Sequence, residues 1–283
     1  MAVRILTDST ADIPPALAQS LGITVVPLTV FFGEEAYRDG IELDSAGFFQ
    51  KLQTNKALPK TSQPPPGVFQ EAFIRLIDEG AEDGIVAILL TAKLSGTYQS
   101  ACTARDALPE EYKKVAIEII DSKSVSVGIG YSVMKAVEEA KQGASLANIK
   151  TNAIDRLART HILFALDTLE YLSRGGRIGA ASALVGNILS IKPILSFKEG
   201  VVVPIERPRT RTKAFARIAQ LVAEAGPLEG VTIVESDEVV GKQLADVLLP
   251  VYTGAMPHYK IGAVIGTYSG PAVAGIAYVT AKK

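Results

Sequence analysis

Ser95 stands in Ala92-Lys93-Leu94-Ser95-Gly96-Thr97, between an apolar run, Ile85 to Leu90, and a stretch of helical character from Tyr98 to Ala107. A serine nucleophile belongs at such a place, on a turn between strand and helix. The G-x-S-x-G pattern of a nucleophile elbow is incomplete, however, because position 93 is lysine. A hydroxyl also needs a general base, and the two histidines, His161 and His258, lie far from Ser95 in sequence. A serine hydrolase acting through Ser95 is kept only as an alternative. The other chemistry open to this stretch is anion binding. Ser95, Gly96 and Thr97 fall at an expected helix N-terminus, where backbone N–H groups are unpaired and carry partial positive charge. A carboxylate or phosphate is stabilised there, and a glycine lets a ligand come close to the backbone. Thr61-Ser62-Gln63 adds two hydroxyls ahead of another helix. Pro64 to Pro66 remove N–H donors from that second segment, so side chains or loop amides must serve. On pattern alone the commoner use of Ser95 and Thr61 is to cap helices.

Other chemistry finds less support. Metal sites need several His, Cys, Asp or Glu converging, and neither histidine has a second ligand at metal-binding spacing. His161 opens a strand and reads as structural; His258, in a Pro-His-Tyr loop, reads as solvated. The phosphate-cradling pattern G-x-x-x-x-G-K-[ST] is absent. Gly128-Ile129-Gly130 follows an expected strand, but Val133 stands where a dinucleotide fingerprint needs glycine, so the pair reads as a flexible turn. Arg207, Arg209 and Arg211 form a basic cluster that could hold phosphate or an acidic partner. Its plainer reading is a solvated turn before a helix from Lys213. Asp8-Ser9-Thr10 reads likewise as a capping turn.

These segments need a scaffold. The chain has 283 residues, 48% apolar and 21% charged, with a formal net charge of -1. That is ordinary for a soluble globular protein of one large or two modest domains. It carries no basic excess suited to nucleic acid and no apolar run long enough for a membrane span. The opening residues lack the pattern of a signal peptide. A single cysteine, Cys102, fits a reducing cytosol, so a cytoplasmic location is expected.

The first half alternates apolar runs with helical patterns: strands at Val3 to Leu6, Ile23 to Phe32, Ile85 to Leu90 and Val115 to Ile120. Asp12 and Asp44 are expected helix caps, Gly22 and Gly80 expected helix ends, and Leu58 to Pro66 an expected loop. Strand-helix alternation with uninterrupted apolar strands predicts a mainly parallel, doubly wound α/β layer. Ligands sit at the carboxyl ends of such strands. The second half reads as α+β with a more antiparallel sheet: a helix from Leu146 to Thr160, then strands at Ile162 to Leu166, Ile191 to Phe197, Val201 to Glu206, Val231 to Glu235 and Ile261 to Thr267. Lys198-Glu199-Gly200 is an expected hairpin turn. Residues 1–155 are expected to form the first domain and 156–283 the second.

Taken in order, the motifs resemble one family over essentially the whole length. Thr7-Asp8-Ser9-Thr10-Ala11-Asp12, Thr61-Ser62-Gln63-Pro64 and Leu94-Ser95-Gly96-Thr97-Tyr98-Gln99-Ser100-Ala101 are followed by Asp121-Ser122-Lys123-Ser124, Gly175-Gly176-Arg177-Ile178 and Lys192-Pro193-Ile194-Leu195. Arg209-Thr210-Arg211 and Ile265-Gly266-Thr267 complete the set. This set is similar to the DegV family. The resemblance implies an α/β domain joined to an α+β domain, with a long-chain fatty acid in a tunnel between them. It implies that the residues matching Ser95 and Thr61 hold the carboxylate, with Ser62, Gly96, Thr97 and Tyr268 nearby. It further implies that the protein presents its ligand to a separate ATP-binding fatty acid kinase subunit. The product is an acyl phosphate for phospholipid synthesis. No cofactor is then needed and the chain itself is no enzyme. Arg207, Arg209 and Arg211 become candidates for meeting the partner or the phosphate. One departure stands out. Many members carry histidine in a Gly-Thr-His segment, where this chain has Gly266-Thr267-Tyr268. A phenol offers one hydrogen bond but no positive charge. A stand-alone lipid sensor without a kinase partner is therefore the main alternative.

Overall fold

The structure, a computed structural model, describes residues 3–55 and 57–282, with the backbone alone for 185–190. In chain order the elements are β1 (Val3–Asp8), a 3-10 turn (Ser9–Ala11), α1 (Pro15–Leu21), β2 (Thr24–Val26), β3 (Thr29–Phe32), β4 (Glu35–Arg38), α2 (Ser45–Thr54), β5 (Lys60–Ser62), α3 (Pro66–Asp78), β6 (Gly84–Leu89), α4 (Thr97–Asp106), β7 (Ile117–Asp121), α5 (Val127–Lys141) and α6 (Leu146–Ala158). Then come β8 (Thr160–Ala165), α7 (Glu170–Arg174), a 3-10 segment (Gly179–Ser190), β9 (Ile194–Lys198), β10 (Val201–Glu206), α8 (Arg211–Glu224), β11 (Leu228–Glu235), α9 (Glu238–Leu248), β12 (His258–Lys260), α10 (Ala263–Ser269) and β13 (Ala274–Thr280).

Among the described residues three sheets form. The first, in order β2-β1-β6-β7, is parallel throughout. The second, β10-β9-β8-β13-β11-β12, is antiparallel except where β12 joins β11. A small antiparallel sheet, β4-β3-β5, stands beside them. The mixed architecture expected from the two halves of the sequence is therefore present.

Alternation along β6 shows how the layers stack. Its residues are all buried, and side chains on a strand point alternately to opposite faces. Ile85, Ala87 and Leu89 join Phe69, Phe73 and Ala101 of α3 and α4 on one face. Val86 and Ile88 join Val127, Val133 and Ile149 of α5 and α6 on the other. That second cluster continues into Ile162, Leu195 and Val202 of the antiparallel sheet. The outer face of the antiparallel sheet is covered by α8 and α9 through Phe215, Ile218 and Leu244. Helix α5 is thus shared, touching β1 and β6 on one side and β8, β11 and β13 on the other. Its glycines explain the closeness. A Cβ at Gly128 would meet Ile162 Cδ1 at 2.6 Å, and one at Gly130 the Ala11 carbonyl at 2.7 Å. Both lie in the first turn of α5 rather than in the flexible turn expected.

Several other boundaries differ from expectation. The run from Ile23 to Phe32 is not one strand: it breaks at Pro27-Leu28 into β2 and β3, which belong to different sheets. Proline lacks the N–H that a continuous ladder would need. Asp12 does not cap α1, because Pro14 holds the N-cap position. It closes the preceding 3-10 turn instead, with a left-handed φ of 51°. The loop expected around Thr61 contains β5, paired with β3 in register Val30 to Thr61. Most consequential, Ile261 to Thr267 is not a strand: Ala263–Ser269 is helix α10. The strand is β13, deep in the second sheet, whose apolar run follows it. A short apolar run does not distinguish strand from helix by its pattern. Asp44, Gly22 and the Lys198-Glu199-Gly200 hairpin are as expected.

Candidate functional site

Between the two large sheets lies a cavity of about 120 Å³. Its walls are mainly apolar, with Leu90, Val125, Ile162, Phe164, Val202 and Val234 among them. Phe164 and Phe197 stack in the wall, their centroids 5.7 Å apart. Among the polar residues lining it are Thr61, Gln63, Ser95, Arg177 and Tyr268.

These five come from four separated segments. Thr61 sits on the short edge strand β5, half-buried, while its neighbour Ser62 is exposed on the opposite face. The Thr61 and Tyr268 hydroxyls are 2.6 Å apart and share a hydrogen bond across 207 residues of chain. Tyr268 arrives on α10. Its ring leaves no room at Gly175, where a Cβ would fall 2.5 Å from Cδ1. Gly176 then turns with φ +70°, and the chain delivers Arg177, whose guanidinium lies 5.1 Å from the Tyr268 ring centroid. Arg177 Nη1 donates to the Gly175 carbonyl at 2.8 Å and Nε to the Leu94 carbonyl at 3.2 Å. The arginine thus ties the Ser95 loop to the tyrosine. It is the one charged side chain lining this cavity among the described residues.

Ser95 precedes α4, whose N-cap is Gly96. Its Oγ lies 2.9 Å from Thr97 Oγ1 and accepts the Thr97 N–H at 3.3 Å. Part of the capping reading therefore holds, yet Ser95 still lines the cavity. Gly96 and Thr97 are not among the lining residues. At Gly96 the close neighbour is the Gln63 amide, which a Cβ would meet at 2.5 Å. The glycine lets the Thr61 and Ser95 segments interlock.

The structure thus brings Thr61, Ser95 and Tyr268 to one cavity and leaves Ser62, Gly96 and Thr97 behind them. Arg207, Arg209 and Arg211 are not among the lining residues either. Arg207 and Arg209 are exposed. Arg211 opens α8, with its Nη2 2.7 Å from Asp167. Sequence reasoning assigned no role to Arg177 or Gln63. Both stood in the motifs quoted above, and the signal for Arg177 was the glycine pair before it.

No imidazole reaches Ser95. His161 stacks on Tyr278 in the second sheet. His258 is exposed, as expected, but on β12 rather than in a loop, its Nδ1 2.9 Å from Glu235. Among the described residues no group of His, Cys, Asp or Glu could hold a metal ion. No described helix is long and apolar enough to cross a membrane.

A second cavity, about 660 Å³, has a different character. Asp12, Asp39, Asp44, His258 and Lys260 line it together with Ile13, Pro14 and Ile23. Burial pushes Asp12 up to about 8 and Asp39 up to about 6, despite hydrogen bonds that favour their charged forms.

Comparison with known proteins gives the family. A family model described as uncharacterised protein, DegV family, matches residues 2–281. The chain belongs to the DegV family. A DegV domain-containing protein of Halalkalibacterium halodurans is 40% identical over 289 residues, covering 99% of both chains. A DegV family protein from Thermus thermophilus, described as fatty acid binding, superposes with a TM-score of 0.88 at 33% identity, covering 99% of this chain and 100% of that one. A stearic acid-binding protein from Eubacterium ventriosum superposes at 0.90 with 26% identity, covering 98% of each chain. The two-domain α/β fold of DegV structures is therefore the fold of this chain.

Proposed function

We propose that this DegV protein binds a long-chain fatty acid in the cavity between its sheets. The observation that carries the reading is the cavity itself: apolar walls with a cluster of hydroxyls and one arginine on them. Burial of the acyl chain contributes about 0.8 kcal/mol per CH₂. A buried carboxylate must be hydrogen-bonded. Thr61, Ser95 and Tyr268 supply hydroxyl donors, and Arg177 supplies a charge-assisted one. Gln63 is a further amide donor. In this reading Ser62, Gly96 and Thr97 shape the two loops rather than touch the ligand. Residues 1–155 carry the carboxylate-binding loops and 156–283 complete the cavity, a division that falls within α6. The related proteins described as binding fatty acids support the reading.

The finer proposal is that the protein is a lipid-holding subunit, cytoplasmic in a bacterium and without catalysis of its own. It presents the carboxylate to a separate ATP-dependent kinase for acyl phosphate formation. Arg207 and Arg209, exposed in the loop before α8, would meet that partner or its phosphate; Arg211 is engaged by Asp167 and contributes less. Tyr268 favours a second reading, a sensor that holds lipid without a kinase. Its hydroxyl shares one hydrogen bond with Thr61 and it offers no cation where many members of the family carry histidine. The hydrolase alternative loses ground because Ser95 Oγ bonds to Thr97 rather than to a base.

Mass spectrometry of an organic extract of the denatured protein tests lipid binding. A stoichiometric long-chain fatty acid is expected. Finding none, with no uptake of added palmitate or oleate, overturns the reading. Supplying a fatty acid kinase and ATP separates subunit from sensor, since only a subunit yields acyl phosphate. Arg207→Ala with Arg209→Ala should lower that yield severalfold and leave lipid affinity unchanged.

A further inference from the structure

Helix α10, which carries Tyr268 to the cavity, is 7 residues long. A helix so short has little stability of its own, so what holds its start decides where its end points. Its N-cap is Gly262, which has no side chain to offer. The first N–H groups are met instead by two carboxylates from the other end of the chain. Asp12 Oδ1 accepts the Gly262 N–H at 2.9 Å, across 250 residues. Asp39 Oδ1 accepts the Ala263 N–H at 2.9 Å, across 224 residues. The fit is close: a Cβ at Gly262 would lie 2.9 Å from Asp12 Oδ1 and 3.3 Å from Asp39 Oδ1.

Both aspartates are themselves held. Asp12 closes the 3-10 turn after β1, is 6% exposed, and receives the Ser126 hydroxyl on its other oxygen. Ser126 lines the lipid cavity. Asp39 is 3% exposed, and its own N–H donates to the Leu28 carbonyl at 2.9 Å, just before β3. Strand β3 is the one to which β5 and Thr61 are paired. The two aspartates therefore join the start of α10 to the strand pair that carries Thr61 and to the turn that carries Ser126. Burying two carboxylates near each other is costly, and Coulomb repulsion from Asp39 and Asp8 adds to that cost at Asp12.

We propose that Asp12 and Asp39 are positioning residues for the fatty-acid head group: they clamp the start of α10 to the first half of the chain and so set the Tyr268 hydroxyl against Thr61. The inference rests on the reading of Thr61 and Tyr268 as carboxylate donors. It assigns no contact between either aspartate and the lipid. Asp12 also reaches the cavity through Ser126, whereas the effect of Asp39 passes through α10 and Tyr268, which a test at Asp39 can isolate.

The experiment uses delipidated full-length protein and two probes of equal chain length, palmitate and hexadecan-1-ol. Asp12→Ala and Asp39→Ala are each expected to weaken palmitate about tenfold, the scale of one lost hydrogen bond to a charged group, and to change hexadecanol little. Asp12→Asn keeps an acceptor for Gly262 and gains a donor toward Ser126, so it should restore palmitate binding to near the wild-type level. In a Tyr268→Phe background, Asp39→Ala should add no further loss, because the hydroxyl it positions is gone. If Asp39→Ala fails to fold, Asp39→Ser, polar but too short to reach the Ala263 N–H, takes its place with the same expectation. Equal losses for acid and alcohol, additive losses with Tyr268→Phe, or no loss at all each overturn the proposal. Wild-type protein that takes up neither probe overturns the lipid reading first, and the clamp with it.

Discussion

The two cavities meet at α10 and differ in almost every respect. Gly262, at the start of the helix, lines one; Val264, Ile265 and Tyr268 line the other. The larger, about 660 Å³, has carboxylates in its wall with an ammonium and an imidazole. The smaller, about 120 Å³, has hydroxyls and a single arginine set in apolar walls. Volume alone would favour the other cavity over the one proposed for the ligand. A fatty acid needs apolar area for its tail and donors for its head. Asp12 and Asp39 would repel the head when ionised. Chemistry of the lining, not space, is the ground for proposing the smaller cavity.

The contrast can be broken most severely at the hydroxyls. Thr61→Ala combined with Ser95→Ala should weaken palmitate about a hundredfold, two hydrogen bonds to a charged group. Hexadecan-1-ol, measured by the same displacement titration, should change much less. Equal loss of both ligands would mean that the hydroxyls shape the cavity rather than hold the acid. Arg177→Met, which keeps much of the stem and removes the charge, should cost palmitate about tenfold. Affinity that survives this change would place the head group elsewhere.

The buried carboxylates sharpen the comparison through pH. Burial holds Asp12 up at about 8 and Asp39 at about 6, against a usual 3.8 for both. The folded state therefore binds protons that the unfolded chain has released. The associated stability is present below about pH 4 and is lost as pH rises through these folded values. Asn mimics the protonated form, so Asp12→Asn should gain on the wild type as pH rises from about 5 to 8.5. Urea midpoints at the two ends of that range read this directly; a constant difference would show Asp12 ionised throughout. Asp8, Asp39, Asp44, His258 and Lys260 are the ionisable groups nearest this carboxylate or sharing its cavity. Smallest of all should be the effect of Lys260→Gln on palmitate, within about twofold of wild type, since Lys260 belongs to the other cavity. A larger loss would couple the two spaces.

Much of this was legible in residues read one segment at a time. Ile85 to Leu90 announced a doubly covered strand because backbone pairing and apolar faces are local properties. Gly22 and Asp44 marked helix ends for the same reason. Ser95 and Thr61 can be read as an anion site only with the family resemblance beside them, because the same residue types also cap helices. Arg177 went unassigned, though its glycine pair was plain, because nothing in Gly175-Gly176-Arg177 says that a tyrosine ring will pack on the first glycine.

The errors have a common physical origin. Ile261 to Thr267 is as apolar as a strand. From Ala263 on it is helical, where Asp12 and Asp39 supply the missing cap across more than two hundred residues. Pro27 splits one apparent strand between two sheets, and Gly128 and Gly130 enter a helix because α5 must press against both sheets. Apolar periodicity, turn residues and local caps are interactions within a few residues, and the sequence determined by itself what they control: two α/β halves and the segments that bear hydroxyls. Which segments meet depends on contacts between residues hundreds apart, whose partners no local pattern names. Tertiary structure alone therefore decided that Thr61, Ser95, Arg177 and Tyr268 share one cavity, and that two buried aspartates hold the helix that completes it.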